Sequence, residues 1–156
     1  MTIHRAENTD ETERLIVIVE ALKEISRHMP VVWPIHPRTR GALKRCGLWL
    51  GLADHLTLIE PQGYLDMVRL ERHAAVIATD SGGVQKEAFF HRIPCVTLRD
   101  ETEWVELLEL GWNKLVPPTS PQSVSSIILE AVGTQGRDAS PYGDGNAAML
   151  IANKLC

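Results

Sequence analysis

Short apolar runs alternate with amphipathic stretches from one end of this chain to the other. Met1 to His4 reads as the end of a strand. Asp10 and Glu13 suit a capping box for a helix whose apolar face is Leu15, Ile18, Val19, Leu22 and Ile25. Val31–Ile35 is a strand that Pro34 confines to its end or to an edge, and a helix is expected over about 39–50. Next come strand Leu56–Ile59, a helix Tyr64–His73 with Leu65, Val68 and Leu70 apolar, strand Ala75–Thr79 and helix Gly83–His91. Strand Cys95–Leu98, helix Glu103–Leu110, strand Lys114–Val116 and helix Ser123–Val132 follow. A Gly-, Ser- and Pro-bearing loop, Gly133–Gly145, leads to a last helix, Asn146–Leu155. Strands alternating with helices at this spacing predict an α/β fold, a Rossmann-like parallel sheet with helices on both faces. The first strand is too short for its role, which gives the chain the look of one cut from something longer.

In such a sheet, ligands bind beyond the carboxyl ends of the strands. The polar residues collect there: His4-Arg5, His36, Gln62, Ser81-Gly82 and Arg99-Asp100, each after a successive strand. Among them Asp80-Ser81-Gly82-Gly83-Val84-Gln85-Lys86-Glu87 carries the most chemistry. Two glycines let the backbone approach a ligand, and the first-turn N–H groups of the following helix form an anion cradle. Glu87, one turn beyond Gly83, projects on the cradle's face. A carboxylate there repels phosphate but suits the hydroxyls of a ribose, so the layout points to a nucleoside diphosphate. His4-Arg5-Ala6-Glu7-Asn8 adds an imidazole, a forked cation, a carboxylate and an amide suited to helix capping. Thr102 is placed to cap the helix after Arg99, with Glu103 at its positive end.

At 156 residues the chain makes one domain with a real core. A net charge of −4 leaves no basic stripe for a nucleic acid. No apolar run is long enough to span a membrane, and the N-terminus lacks a signal pattern. Three scattered cysteines without a Cys-x-x-Cys suggest reduced thiols in the cytoplasm rather than a zinc site or a disulfide framework. The four tryptophans are expected to pack rather than bind. Dinucleotide, P-loop and hydrolase-elbow motifs are absent.

Six segments together resemble one family. They are Thr2–Asn8, Pro34–Pro37, Pro61–Leu65, Asp80–Ala88, Arg99–Glu103 and Pro141–Gly145, in that order. They resemble the carboxyl-terminal half of the non-hydrolysing UDP-N-acetylglucosamine 2-epimerases, over nearly the whole chain. The resemblance implies a GT-B-type enzyme of two Rossmann-like domains with the substrate between them. Residues 1–156 would be the second domain, which grips UDP, with the N-terminal domain absent from this chain. It further implies that His4 and Arg5 lie by the diphosphate, with His4 and Glu7 this half's catalytic candidates. Ser81, Gly82 and Gly83 would donate to the phosphates, Glu87 would hold the ribose, and a loop from Gln62 to Met67 would hold uracil. Arg99, Thr102 and Glu103 would border the sugar or phosphates, and His36 matches a position near a regulatory nucleotide-sugar site in some bacterial members. The family's chemistry removes the C2 proton, expels UDP and re-adds it, without metal or nicotinamide cofactor, in a homodimer. Family members typically continue Thr-Glu-Arg-Pro where this chain has Thr102-Glu103-Trp104-Val105. That variation resembles branches acting on modified sugars such as UDP-2,3-diacetamido glucuronic acid. Two alternatives remain open: the UDP-sugar domain of a GT-B glycosyltransferase, and a non-catalytic nucleotide-sugar sensor.

Overall fold

The computed structural model describes residues 1–155. Five short strands are all parallel: β1 (Val32–Pro34), β2 (Thr57–Ile59), β3 (Ile77–Thr79), β4 (Cys95–Thr97) and β5 (Asn113–Leu115). β1 pairs with β2, and β3, β4 and β5 pair in that order. Between the two groups lies the first segment, reduced to a single parallel bridge of Thr2 with Thr79. The N–H of Thr2 donates to Ala78 (3.0 Å), that of Asp80 to Thr2 (3.2 Å), and the amino group of Met1 reaches Val32 O (3.1 Å). The order across the molecule is therefore β2, β1, the Thr2 segment, β3, β4, β5. The chain winds outward one way, then crosses the Thr2 segment and winds the other. That reversal is the topological switch point where open α/β sheets bind ligands.

Helices cover both faces: α1 (Ala6–Thr9), α2 (Thr12–Ser26), α3 (Pro37–Arg45), α4 (Tyr64–Arg72), α5 (Gly82–Phe90), α6 (Val105–Glu109) and α7 (Pro121–Ala131); α8 (Ala147–Leu155) buries none of its residues. The expected apolar face of α2 is buried in full and packs with Val124 and Ile128 of α7 under the sheet. Each such side chain contributes about 1.5–3 kcal/mol by leaving water. On the other face, Ala88 of α5 packs on Ile77 and Cys95, while Phe89 packs with Leu107 and Trp112. Burial pushes the Cys95 thiol up to about 12, so it stays protonated and inert. Trp33 and Trp112 pack in the core, as expected of tryptophan.

Several local expectations are corrected by tertiary contacts. The Asp10–Glu13 capping box does not form, because Asp10 accepts from Arg38 Nη2 (2.6 Å) and α2 begins at Thr12 without a side-chain cap. Asn8 caps nothing; it is buried inside α1. The helix expected from Glu103 begins only at Val105, with Trp104 at the N-cap position; Thr102 Oγ1 donates to Gln85 Oε1 (2.6 Å) and accepts from the N–H of Trp104 (3.2 Å). Residues 62–67 are not loop throughout: Gly63 is the N-cap of α4, and Met67 lies within that helix. Of the expected apolar residues of α4, Val68 and Leu70 are half-buried and Leu65 is exposed, while Glu71 is the buried one. Among the described residues, no helix is long and apolar enough to cross a membrane.

Candidate functional site at the switch point

Asp80 organises the rim. It follows β3 directly, it is completely buried, and its carboxylate collects donors from a segment more than seventy residues away. The N–H groups of His4 (3.1 Å) and Arg5 (2.9 Å) and the Nδ2 of Asn8 (3.1 Å) donate to it, and His4 Nδ1 lies 3.2 Å away. Burial alone would raise its pKa. The hydrogen bonds, with the His4 ring foremost, outweigh burial and hold the carboxyl below its ordinary range. Asn8 Nδ2 also donates to Leu98 O (2.9 Å), and Asn8 Oδ1 accepts from Arg14 Nε (3.1 Å). The ends of the Thr2 segment, β3 and β4 are thus tied into one rim.

The two histidines take complementary forms in this frame. Asp80 faces Nδ1 of His4, so that nitrogen carries the proton and Nε2 is left as an acceptor toward solvent. His36 caps α3, with Nδ1 accepting from the N–H of Arg38 (3.1 Å). A neutral His36 therefore carries its proton on Nε2. The rings stand 5.6 Å apart. Both line a pocket of about 180 Å³ together with Gln62, Met67, Ser81 and Val84. Five of the expected site residues, from four different strand ends, thus meet in one depression.

Ser81 caps α5: its Oγ accepts from Val84 (3.5 Å) and its C=O from Gln85 (3.2 Å). The amides of Gly82 and Gly83 are the first-turn donors left for a ligand. Beside them runs a chain of alternating charges. Arg5 Nη2 lies 3.6 Å from Glu103 Oε1, Glu103 Oε2 accepts from Arg99 Nη1 (2.7 Å), and Arg99 Nε donates to Glu7 Oε1 (3.2 Å). Glu103's own N–H and the two arginines hold its carboxyl below the usual value. Although burial opposes the Arg99 cation, Glu103 and Glu7 more than offset it. A side chain at Gly82 would collide with Glu103 Oε1 and come within 3.3 Å of Trp104 Nε1. Glu103 therefore rests its negative charge on the helix end built for an anion. Glu7 is committed to Arg99 rather than to His4.

A buried polar network behind the cradle was not foreseen. Gln85 Oε1 accepts from Thr102 Oγ1 (2.6 Å) and Asn113 Nδ2 (3.0 Å), and Thr97 donates to Asn113 Oδ1 (2.9 Å). It fixes the 99–104 connection against α5. The 133–145 segment straps the same region, placing Tyr142 so that Lys86 Nζ lies 4.3 Å from its ring and from that of Trp104. Glu87 stands apart from the pocket. It is half-buried one turn along α5, and its charge acts on Glu71 of α4.

A parallel sheet with a capped Ser-Gly-Gly helix start at its switch point is common to many nucleotide binders, and the family match decides between them. The family model for UDP-N-acetylglucosamine 2-epimerase matches residues 1–156. The chain belongs to the UDP-N-acetylglucosamine 2-epimerase family. A UDP-2,3-diacetamido-2,3-dideoxy-D-glucuronate 2-epimerase of Pseudomonas aeruginosa is 50% identical over 99% of this chain and 43% of its own length. A UDP-N-acetylglucosamine 2-epimerase of Methanocaldococcus jannaschii is 40% identical over 99% of this chain and 43% of its own length. The solved structure of the Methanocaldococcus enzyme with UDP-GlcNAc and UDP superposes with a TM-score of 0.88 at 39% identity, covering 99% of this chain and 43% of that one. The chain thus spans less than half the length of the epimerases it matches. The expected fold, parallel α/β with helices on both faces, is the one found.

Proposed function

We propose that residues 1–156 form the single UDP-gripping domain of a UDP-sugar 2-epimerase, whose other domain lies in the part of the enzyme this chain does not span. The observation that carries this reading is the meeting, at the switch point, of the Gly82 and Gly83 amides with Arg5 and Arg99 beside the His4–His36 pocket. In the reaction, a base takes the proton from C2 of the sugar while the bond from C1 to the UDP oxygen breaks, giving a glycal and UDP. UDP then adds back to C1 as a proton returns to the other face of C2. The chemical demand on this half is to stabilise UDP as it gathers negative charge. Oriented N–H groups and two cations supply that stabilisation. Diphosphate entering the cradle takes the place of the Glu103 carboxylate on Arg5 and Arg99. Glu87 holds the ribose, and Gln62 with the start of α4 holds uracil. His4 Nε2, fixed by Asp80, is this half's proton-transfer group. Glu7 sets the position of Arg99, and Thr102 and Glu103 border the sugar. His36 borders the same pocket, where a second, regulatory nucleotide sugar would touch it.

The substrate is UDP-N-acetylglucosamine or a modified relative such as UDP-2,3-diacetamido glucuronate. The Pseudomonas likeness and the Trp104 departure favour the modified sugar. The complete enzyme works as a cytoplasmic homodimer without metal or nicotinamide. Deuterium incorporation at C2 tests the reading on both sugars. The full-length enzyme exchanges the proton with solvent and needs no acceptor, whereas this chain alone does not exchange it. Sugar transfer to an acceptor without C2 exchange would indicate a GT-B glycosyltransferase instead. Binding without either reaction in the full-length protein would indicate a sensor.

A further inference from the structure

We propose that the indole N–H of Trp104 is a further donor of the anion cradle, aimed at the terminal phosphate of UDP, and that Lys86 and Tyr142 hold the indole in place. The inference rests on the reading of the rim as a UDP site. Trp104 stands at the N-cap position of α6, with its backbone N–H donating to Thr102 Oγ1 (3.2 Å). Its ring meets Tyr142 edge-on, with 6.0 Å between centroids and 90° between planes, and Lys86 Nζ lies 4.3 Å from both rings. Packing accounts for the ring and leaves the nitrogen unexplained. Trp104 Nε1 is shielded from solvent and has no hydrogen-bond partner. An indole N–H can only donate, and a buried one ordinarily finds an acceptor. This one comes within 3.3 Å of the point that a side chain at Gly82 would occupy, a point that Glu103 Oε1 also crowds. The unused donor and the carboxylate standing on the cradle thus converge over one residue. A terminal phosphate in place of that carboxylate brings three acceptor oxygens where Glu103 brings two, and the indole is the donor beside them. A cation against the ring face draws electron density from the indole and strengthens its N–H.

Two adjacent residues of α5 fix which end of the ligand meets Trp104. Glu87 acts on Glu71 of α4, whereas Lys86 lies against Trp104 and Tyr142. They flank α5 on opposite sides. With uracil at the start of α4 and the ribose on Glu87, the diphosphate crosses the Gly82 and Gly83 amides, and its far end reaches the Trp104 side. That end is the phosphate bonded to the sugar. It gathers the charge as the bond from C1 to oxygen breaks, so a donor placed there acts on the leaving group itself.

The full-length enzyme tests this with UDP and UMP. UDP is expected to move the Trp104 Nε1–H resonance downfield in the proton NMR spectrum, and UMP to leave it in place. Trp104→Phe is expected to weaken UDP about ten-fold or more, the scale of a hydrogen bond to a charged group, while UMP affinity changes little. Lys86→Met keeps the indole but loosens it, so its loss is smaller and again confined to UDP. Equal losses for UDP and UMP would mark a general packing defect and overturn the proposal. If Trp104→Phe fails to fold, the wild-type resonance decides: a UDP-bound enzyme with an unmoved indole signal overturns the inference and leaves the UDP site standing. No UDP binding by the wild type would remove the site and the inference together.

Discussion

Two buried carboxylates sit on opposite sides of the same crossover, and their environments push them in opposite directions. Asp80 at the rim collects three N–H donors and faces an imidazole, and its pKa falls despite complete burial. Glu71, at the other end of the sheet, has no hydrogen-bond partner. Burial first, and then the charge of Glu87, raise its pKa to about 7. Burial is common to both, so it does not decide the outcome; the donors do. The Asp80 carboxylate is fully paired, and that of Glu71 is not.

The largest effect is expected from removing the finished anchor. Asp80→Ala leaves the N–H groups of His4 and Arg5 and the amide of Asn8 unpaired, and is expected to cost about 3–5 kcal/mol in urea unfolding. Because the folded pKa of Asp80 is lowered, its contribution is present above the unfolded value of about 3.9 and is lost as pH falls through the folded one. Asp80→Asn is therefore expected to flatten the acid limb of the stability profile. An unchanged acid limb would mean that the four contacts carry no net stability.

Glu87 connects the two regions, so one substitution reads both. Glu87→Gln is expected to weaken UDP by roughly 1.5–3 kcal/mol, the scale of a hydrogen bond to a charged group. The loss should shrink for a 2′,3′-dideoxy analogue. In the same variant the Glu71 pKa, followed by NMR, should move down. Equal losses for both nucleotides would remove Glu87 from the ribose site while leaving its effect on Glu71 standing.

The smallest effect has the opposite sign. Between about 4.3 and about 7 the folded chain holds the Glu71 proton more tightly than the unfolded chain does, so stability falls as pH rises through that window. Glu71→Gln is expected to stabilise this chain by about 1–2 kcal/mol above pH 7 and by little near pH 4. Thermal unfolding at the two pH values measures it, and destabilisation at both would place Glu71 in a satisfied network.

The difference between the regions also explains what could be read from the chain. The α2 face was legible because five apolar residues at helical spacing pack wherever α2 docks. The rim was legible because polar groups follow apolar runs, and strand ends in a parallel sheet converge on one side. Asp80 stood in plain view after β3, yet its role as anchor depends on donors from residues 4–8, a pairing that no local pattern encodes. Another long-range contact undid the Asp10–Glu13 cap, through Arg38.

The central claim is that the rim grips a nucleoside diphosphate through its phosphates. Calorimetric titration of UDP, UMP and uridine, each with and without EDTA, tests it on this chain and on the full-length enzyme. The expected result is UDP binding that EDTA leaves unchanged and that weakens stepwise as phosphates are removed. Uridine binding as tightly as UDP, or no UDP binding even by the full-length enzyme, would contradict it.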